Sequence, residues 1–170
     1  MSWLTILLRA LHVGGGVLWA GGTFVFAGFV ERTASQAGPE GGRFIQRLAG
    51  SGYSAAMTIA GVLTVAAGIW LFWLDSGGFQ LEFMGSRFGV VLSVGGLCGL
   101  LAAVVGLGVQ GRNAARMQAI SRVVQGQAGG PTPEQQAQLQ AIQGKLRTGG
   151  RVTALLLAVA VLCMAVARYV

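Results

Sequence analysis

The sequence predicts an all-α protein, a four-helix transmembrane bundle with a cytoplasmic helical hairpin extending helices three and four. Three observations predict it. Mean hydropathy is +0.66, and only 10% of the residues are charged. Four apolar runs reach the roughly 20 residues that a membrane-spanning helix needs. Within those runs lie many glycines, which let helix backbones approach closely where lipid supplies no hydrophobic force between them. The chain therefore reads as a single integral membrane domain over 1–170, with no room for a separate soluble domain.

The first run, about 3–30, lacks a basic start and is too long for a cleaved leader, so it is expected as a retained helix. The second run covers about 53–74, the third about 87–110 and the fourth about 151–167. Between the first two, Phe44, Ile45 and Leu48 interrupt a Gly-rich polar segment at a spacing that suits a short interfacial helix, with Arg43 and Arg47 toward lipid headgroups. Asp75-Ser76-Gly77-Gly78 reads as a turn, after which Phe79, Leu81, Phe83 and Met84 dip back toward the membrane. Helix three is expected to continue to about Gln125, because Met117, Ile120 and Val124 recur at helical spacing. Gly129-Gly130-Pro131 breaks it. Thr132-Pro133-Glu134-Gln135 then has the form of a helix start: an N-cap threonine, a proline at the first helical position and a glutamine able to close a capping box. Leu139, Ile142 and Leu146 follow on one face, so the two arms are expected to zip into a hairpin over about 111–148.

The net charge of +7 does not point to nucleic acid, since no basic patch is interleaved with exposed aromatics. The basic residues sit instead at helix ends. Arg32, Arg43 and Arg47 follow helix one; Arg112, Arg116, Arg122, Lys145, Arg147 and Arg151 lie between helices three and four. The connection between helices two and three carries Asp75 and Glu82, with Arg87 at its edge. The positive-inside rule then predicts a multi-pass membrane protein with both termini outside and loops 31–52 and 111–150 in the cytoplasm. Cys98 and Cys163 both fall inside apolar runs and do not argue for an oxidising compartment.

Helix packing is expected at Gly61 with Gly68, Gly95 with Gly99, and Ala102 with Gly106, pairs that recur on helical faces. Polar groups within the runs are few: Thr5, Thr23, Thr58, Thr64, Ser93 and Thr153. A transport path usually needs more ionisable groups at mid-depth. No catalytic residues are predicted. The chain has one histidine, no paired intramembrane carboxylates and no phosphate-cradling glycine loop, and Asp75 and Glu82 have no evident source of the pKa shift that acid–base work needs.

The one histidine, His12, lies in Leu11-His12-Val13-Gly14-Gly15-Gly16-Val17-Leu18-Trp19-Ala20-Gly21-Gly22. An imidazole in hydrocarbon is costly, so it faces the bundle interior and has a partner there. At 1.5 Å per residue it sits about 15 Å below the start of helix one, and Met164 about 9 Å below the C-terminus. Arg9 is one turn above His12 on the same face. With Arg87 and Arg168 at the same end, a haem b would find a ring nitrogen for its iron and guanidiniums for its propionates. Copper would instead use His12 with a soft sulfur from Met164 or Cys163. The alternative is that no cofactor binds: His12 hydrogen-bonds across helices to a threonine or a carbonyl, the arginines snorkel, and Met164 is packing. With a single histidine, bis-histidine ligation within one chain is excluded.

The pattern Leu11-His12, Trp19, Gly21-Gly22 and Phe24 resembles the first helix of the CopD-like and HemJ-like small membrane proteins. Ala114-Ala115-Arg116-Met117 and the tail Met164-Ala165-Val166-Ala167-Arg168-Tyr169 are similar to an uncharacterised bacterial branch of that grouping. The resemblance implies a bundle of four or more helices, copper handling in one branch, haem-linked protoporphyrinogen oxidation in the other, and His12 as the ligand. The functional expectations are then three: a non-enzymatic accessory or structural subunit of a redox or photosynthetic membrane assembly, in contact with the lipid bilayer and with other membrane subunits or copies of itself; a haem- or copper-binding membrane protein; and copper or small-solute transport.

Overall fold

The computed structural model describes residues 2–127 and 129–170. It is helical throughout, with no strand among the described residues. The protein is an all-α four-helix bundle. Four helical segments are long and apolar enough to cross a bilayer: Trp3–Gln36, Tyr53–Asp75, Arg87–Gln125 and Pro133–Tyr169.

The first comprises α1 (Trp3–Val25), a π-helical stretch (Phe26–Val30) and α2 (Glu31–Gln36). Ser2 caps it, its hydroxyl accepting from the Thr5 N–H at 3.3 Å. A turn through Gly38, at φ 59°, leads to α3 (Pro39–Gly50). The short helix expected around Phe44, Ile45 and Leu48 is α3, and α2 before it continues the first membrane helix. They fold on each other because Gly41 has no side chain: a Cβ there would collide with the Ala34 carbonyl. The second membrane helix is α4 (Tyr53–Asp75), which follows Gly52 in the left-handed conformation at φ 87°.

Beyond α4, Ser76 organises the connection. Its hydroxyl donates to the Trp73 carbonyl at 3.3 Å and accepts from the Phe79 N–H at 2.9 Å. Phe79 and the short α5 (Leu81–Gly85) then return to the bundle end. There Phe72 meets Phe79 and Phe83 at centroid separations of 5.8 and 6.0 Å, and Phe83 meets Phe88 at 5.7 Å. Leu81, by contrast, stays exposed.

The third segment runs through α6 (Arg87–Ala103), a second π-helical stretch (Val104–Gln110) and α7 (Gly111–Gln125). The capping box read from the sequence is formed. Thr132 Oγ1 accepts from the Gln135 N–H at 3.2 Å, and Gln135 Oε1 from the Thr132 N–H at 2.9 Å. It opens α8 (Pro133–Val166), a 34-residue helix that packs against α7 and then α6 before ending in one 3₁₀ turn.

Packing is uneven. The helices form two close antiparallel pairs, α1 with α4 and α6 with α8, and the two pairs meet more loosely. They share a small core: Trp19 and Ala20 from α1, Ala60 from α4, Ala102 from α6 and Leu157 from α8. Most of the large apolar side chains on the membrane helices remain exposed. In water such a surface would drive aggregation; here it is the lipid-facing surface of a multi-pass membrane protein.

Candidate functional site

The α1–α4 pair is built on missing side chains. A methyl on Gly15 would sit 2.6 Å from Thr64 Oγ1 and 3.1 Å from the Ala60 carbonyl oxygen. One on Gly61 would press on the Trp19 indole at 3.2 Å, and one on Gly22 would meet Met57 Sδ at 2.6 Å. Tyr53 closes the end of the pair, donating to the Gly22 carbonyl at 3.1 Å and stacking on Phe26 at 5.9 Å.

His12 belongs to this seam. Its ring lies over Gly68, where a Cβ would come within 2.7 Å of Cε1 and 2.8 Å of Nδ1. Nδ1 is 2.8 Å from the Thr64 carbonyl oxygen. A carbonyl can only accept, so Nδ1 carries the proton and donates; in the neutral ring this leaves Nε2 with its lone pair. Thr64 spends its own hydroxyl on the Ala60 carbonyl, at 2.7 Å. The same economy holds for Thr23 on the Trp19 carbonyl at 2.7 Å and Thr58 on the Ser54 carbonyl at 2.8 Å. Each bonds back within its own helix, so His12 alone among these side chains crosses to another. Ser93 Oγ is buried without a hydrogen-bond partner among the described residues.

The other residues singled out from the sequence divide between the two helix pairs and the bundle ends. Arg9 approaches Asp75 at the mouth of the α1–α4 pair, Nη2 to Oδ1 at 4.0 Å, with both side chains substantially exposed. Arg87, at the first position of α6, is exposed, as is Arg168, whose guanidinium lies 5.0 Å from the Tyr169 ring centre. Cys163 and Met164 sit on the α6–α8 contact: a Cβ on Gly95 would meet Cys163 Cβ at 2.9 Å and Met164 Cγ at 3.5 Å. His12 and the sulfur-bearing residues are therefore packed in different helix pairs. Among the described residues no group of three or more His, Cys, Asp or Glu side chains comes together.

Sequence reasoning missed two polar clusters. On the α6–α8 pair, Gln110 Nε2 donates to Thr153 Oγ1 at 3.0 Å, and that hydroxyl donates to the Gly149 carbonyl at 2.9 Å. The absent side chain of Gly149 makes room, since a Cβ there would lie 3.1 Å from Gln110 Cγ. At the same end of the bundle Arg147 Nε reaches Glu31 Oε1 at 3.1 Å, tying α2 to α8. The available signal was the pairing of opposite charges at the ends of two helices that finish on the same side.

For a haem, this geometry offers one imidazole nitrogen, Nε2 of His12. For copper, it offers that nitrogen on one helix pair and the sulfurs of Cys163 and Met164 on the other. No protein-family model matches the chain, and no curated protein or solved structure matches it.

Proposed function

We propose that this chain is a non-enzymatic accessory or structural subunit of a larger assembly, redox or photosynthetic in kind, in a bacterial cytoplasmic membrane. Its termini face outward and its two basic loops, 31–52 and 111–150, face the cytoplasm, as the positive-inside rule requires. One observation carries the reading. The chain's one histidine, His12, deep in an apolar run, spends its N–H on a tie between α1 and α4, and its ring fills the space over Gly68. The intramembrane imidazole thus has a packing task of its own.

A second reading rests on the same bond. A histidine that donates Nδ1–H to a backbone carbonyl has its tautomer fixed and its Nε2 available, which is the arrangement metal-ligating histidines use. A haem b held by His12 Nε2 fits the resemblance of the first helix to the CopD-like and HemJ-like proteins.

The two readings separate in one experiment. The protein is purified from its native membrane in mild detergent, and spectra are recorded oxidised and dithionite-reduced beside His12→Ala. A featureless spectrum, with stoichiometric membrane subunits retained by wild type and variant alike, is the expected result. A Soret band with reduced α and β bands, present in wild type and lost in His12→Ala, would overturn it in favour of haem.

A further inference from the structure

The π-helical stretch after α1, the start of α2 and the middle of α8 border a recess of about 330 Å³, lined by Ala27, Gly28, Glu31, Arg32, Arg147 and Arg151. We propose that it binds the phosphate group of an anionic phospholipid. This inference is independent of whether His12 carries a cofactor.

Charge is the first argument. Three guanidiniums face one carboxylate, so two positive charges remain unmatched. Glu31 engages Arg147 through Nε, which leaves that guanidinium's terminal amino groups to donate elsewhere. Arg32 and Arg151 have no carboxylate partner among the described residues. Guanidiniums match phosphate oxygens in fork geometry and are weakly hydrated enough to do so at an interface. Arg151 follows Arg147 by one helical turn, so both project from the same side of α8.

Shape is the second. The wall contributed by helix one is Ala27 and Gly28, within the π-helical stretch. Gly28 has nothing within 4 Å of where a Cβ would stand, so the recess is open at that point rather than filled by packing. Wide helical turns of this kind are frequent at functional sites.

Position selects the source of the phosphate. Arg151 is the last charged residue before the apolar run 152–167. One turn deeper on the same face Leu155 is 69% exposed, and on helix one Val25 and Phe29 are 55% and 73% exposed. A phosphate held by these arginines has bare apolar surface beside it on the membrane side, where acyl chains lie. Basic pockets between helices at the cytoplasmic surface are where anionic headgroups bind.

The test is native mass spectrometry of the full chain, delipidated in neutral detergent and titrated with short-chain phosphatidylglycerol, short-chain phosphatidylcholine or inorganic phosphate. The expected result is a preference for phosphatidylglycerol over phosphatidylcholine that falls about fivefold for each of Arg32→Gln and Arg151→Gln, and about 25-fold for the pair. Arg32→Lys/Arg151→Lys, which keeps the charge but not the fork, should recover only part of it. Gly28→Leu, which keeps every charge and meets no neighbour at Cβ, should abolish the preference by occupying the recess. It also decides the matter should the double glutamine variant fail to fold. Unchanged preference in Gly28→Leu, or in a folded Arg32→Gln/Arg151→Gln protein, would overturn the proposal. Inorganic phosphate binding as tightly as phosphatidylglycerol would overturn the lipid assignment.

Discussion

Replacing Gly68 by alanine places a methyl 2.7 Å from Cε1 and 2.8 Å from Nδ1 of His12. That is well inside carbon–carbon contact distance. The ring cannot swing aside freely, because the Thr64 carbonyl holds Nδ1 at 2.8 Å. Overpacking of this kind costs about 1–3 kcal/mol, and the better helix propensity of alanine offsets about 1 kcal/mol. Gly68→Ala should therefore destabilise the bundle by up to about 2 kcal/mol. His12→Ala by itself removes a tie between helices worth about 0.6–1.7 kcal/mol in a membrane protein. In that background the methyl at position 68 enters the space the ring vacated. The overpacking vanishes and the propensity gain remains, so the second substitution becomes neutral or stabilising. The sign reversal is the signature, with a coupling of about 1–3 kcal/mol between the two sites. Reversible unfolding in mixed micelles of rising dodecyl sulfate fraction, followed by the fluorescence of Trp19 in a background with Trp3, Trp70 and Trp73 replaced by phenylalanine, measures all four proteins of the cycle. Trp19 suits the assay because it is 4% exposed and part of the same seam. Equal costs for Gly68→Ala with and without His12 would refute the packing of the ring on Gly68.

Two further substitutions probe other contacts. A Cβ on Gly95 would approach Cys163 Cβ at 2.9 Å and the Ala160 carbonyl oxygen at 3.3 Å, whereas Gly99 has nothing within 4 Å. After the same propensity gain of about 1 kcal/mol, Gly95→Ala should cost up to about 2 kcal/mol and Gly99→Ala should be neutral or stabilising in the same micelle titration; equal effects would show that the α6–α8 seam runs elsewhere. Thr132→Ala removes the hydroxyl that accepts from Gln135 N–H and should cost about 1 kcal/mol, confined to the start of α8. Hydrogen exchange should accelerate over the first turn after Pro133 and stay unchanged in the apolar half of the helix.

The fold was legible because a bilayer imposes a length on every spanning helix, and the four apolar runs meet it. The capping box was legible because Thr132 and Gln135 act on each other locally. Packing was less so. Gly95 and Gly99 look equivalent on paper, yet the face that meets α8 runs through Gly95, Ala102 and Gly106, and Gly99 is left beside it. Which glycine is used depends on the rotation of a helix about its axis, and two near-uniform apolar faces do not fix that. The candidate site shows the same limit. His12 stood out as the one histidine, deep in an apolar run, and its depth was read from helical rise. Arg9, Arg87, Arg168, Met164 and Cys163 were grouped with it by depth as well. Depth sets height along the bundle but not direction around it, and the structure places Cys163 and Met164 against Gly95 and Arg9 toward Asp75. The partner His12 does have is a main-chain oxygen, which every residue carries and no sequence advertises.

That last point sets how mutation can act on the seam. The acceptor at position 64 is part of the backbone, and its second lone pair serves the ring while the first serves the helix. No side-chain replacement at position 64 deletes it, provided the residue stays helical and clears the bare backbone of Gly15. Positions 12 and 68 have no such freedom: one supplies the ring N–H that crosses this interface, and the other must remain empty for it to arrive. Substitutions can therefore accumulate at position 64 without severing the contact, while positions 12 and 68 are confined to a histidine and a glycine.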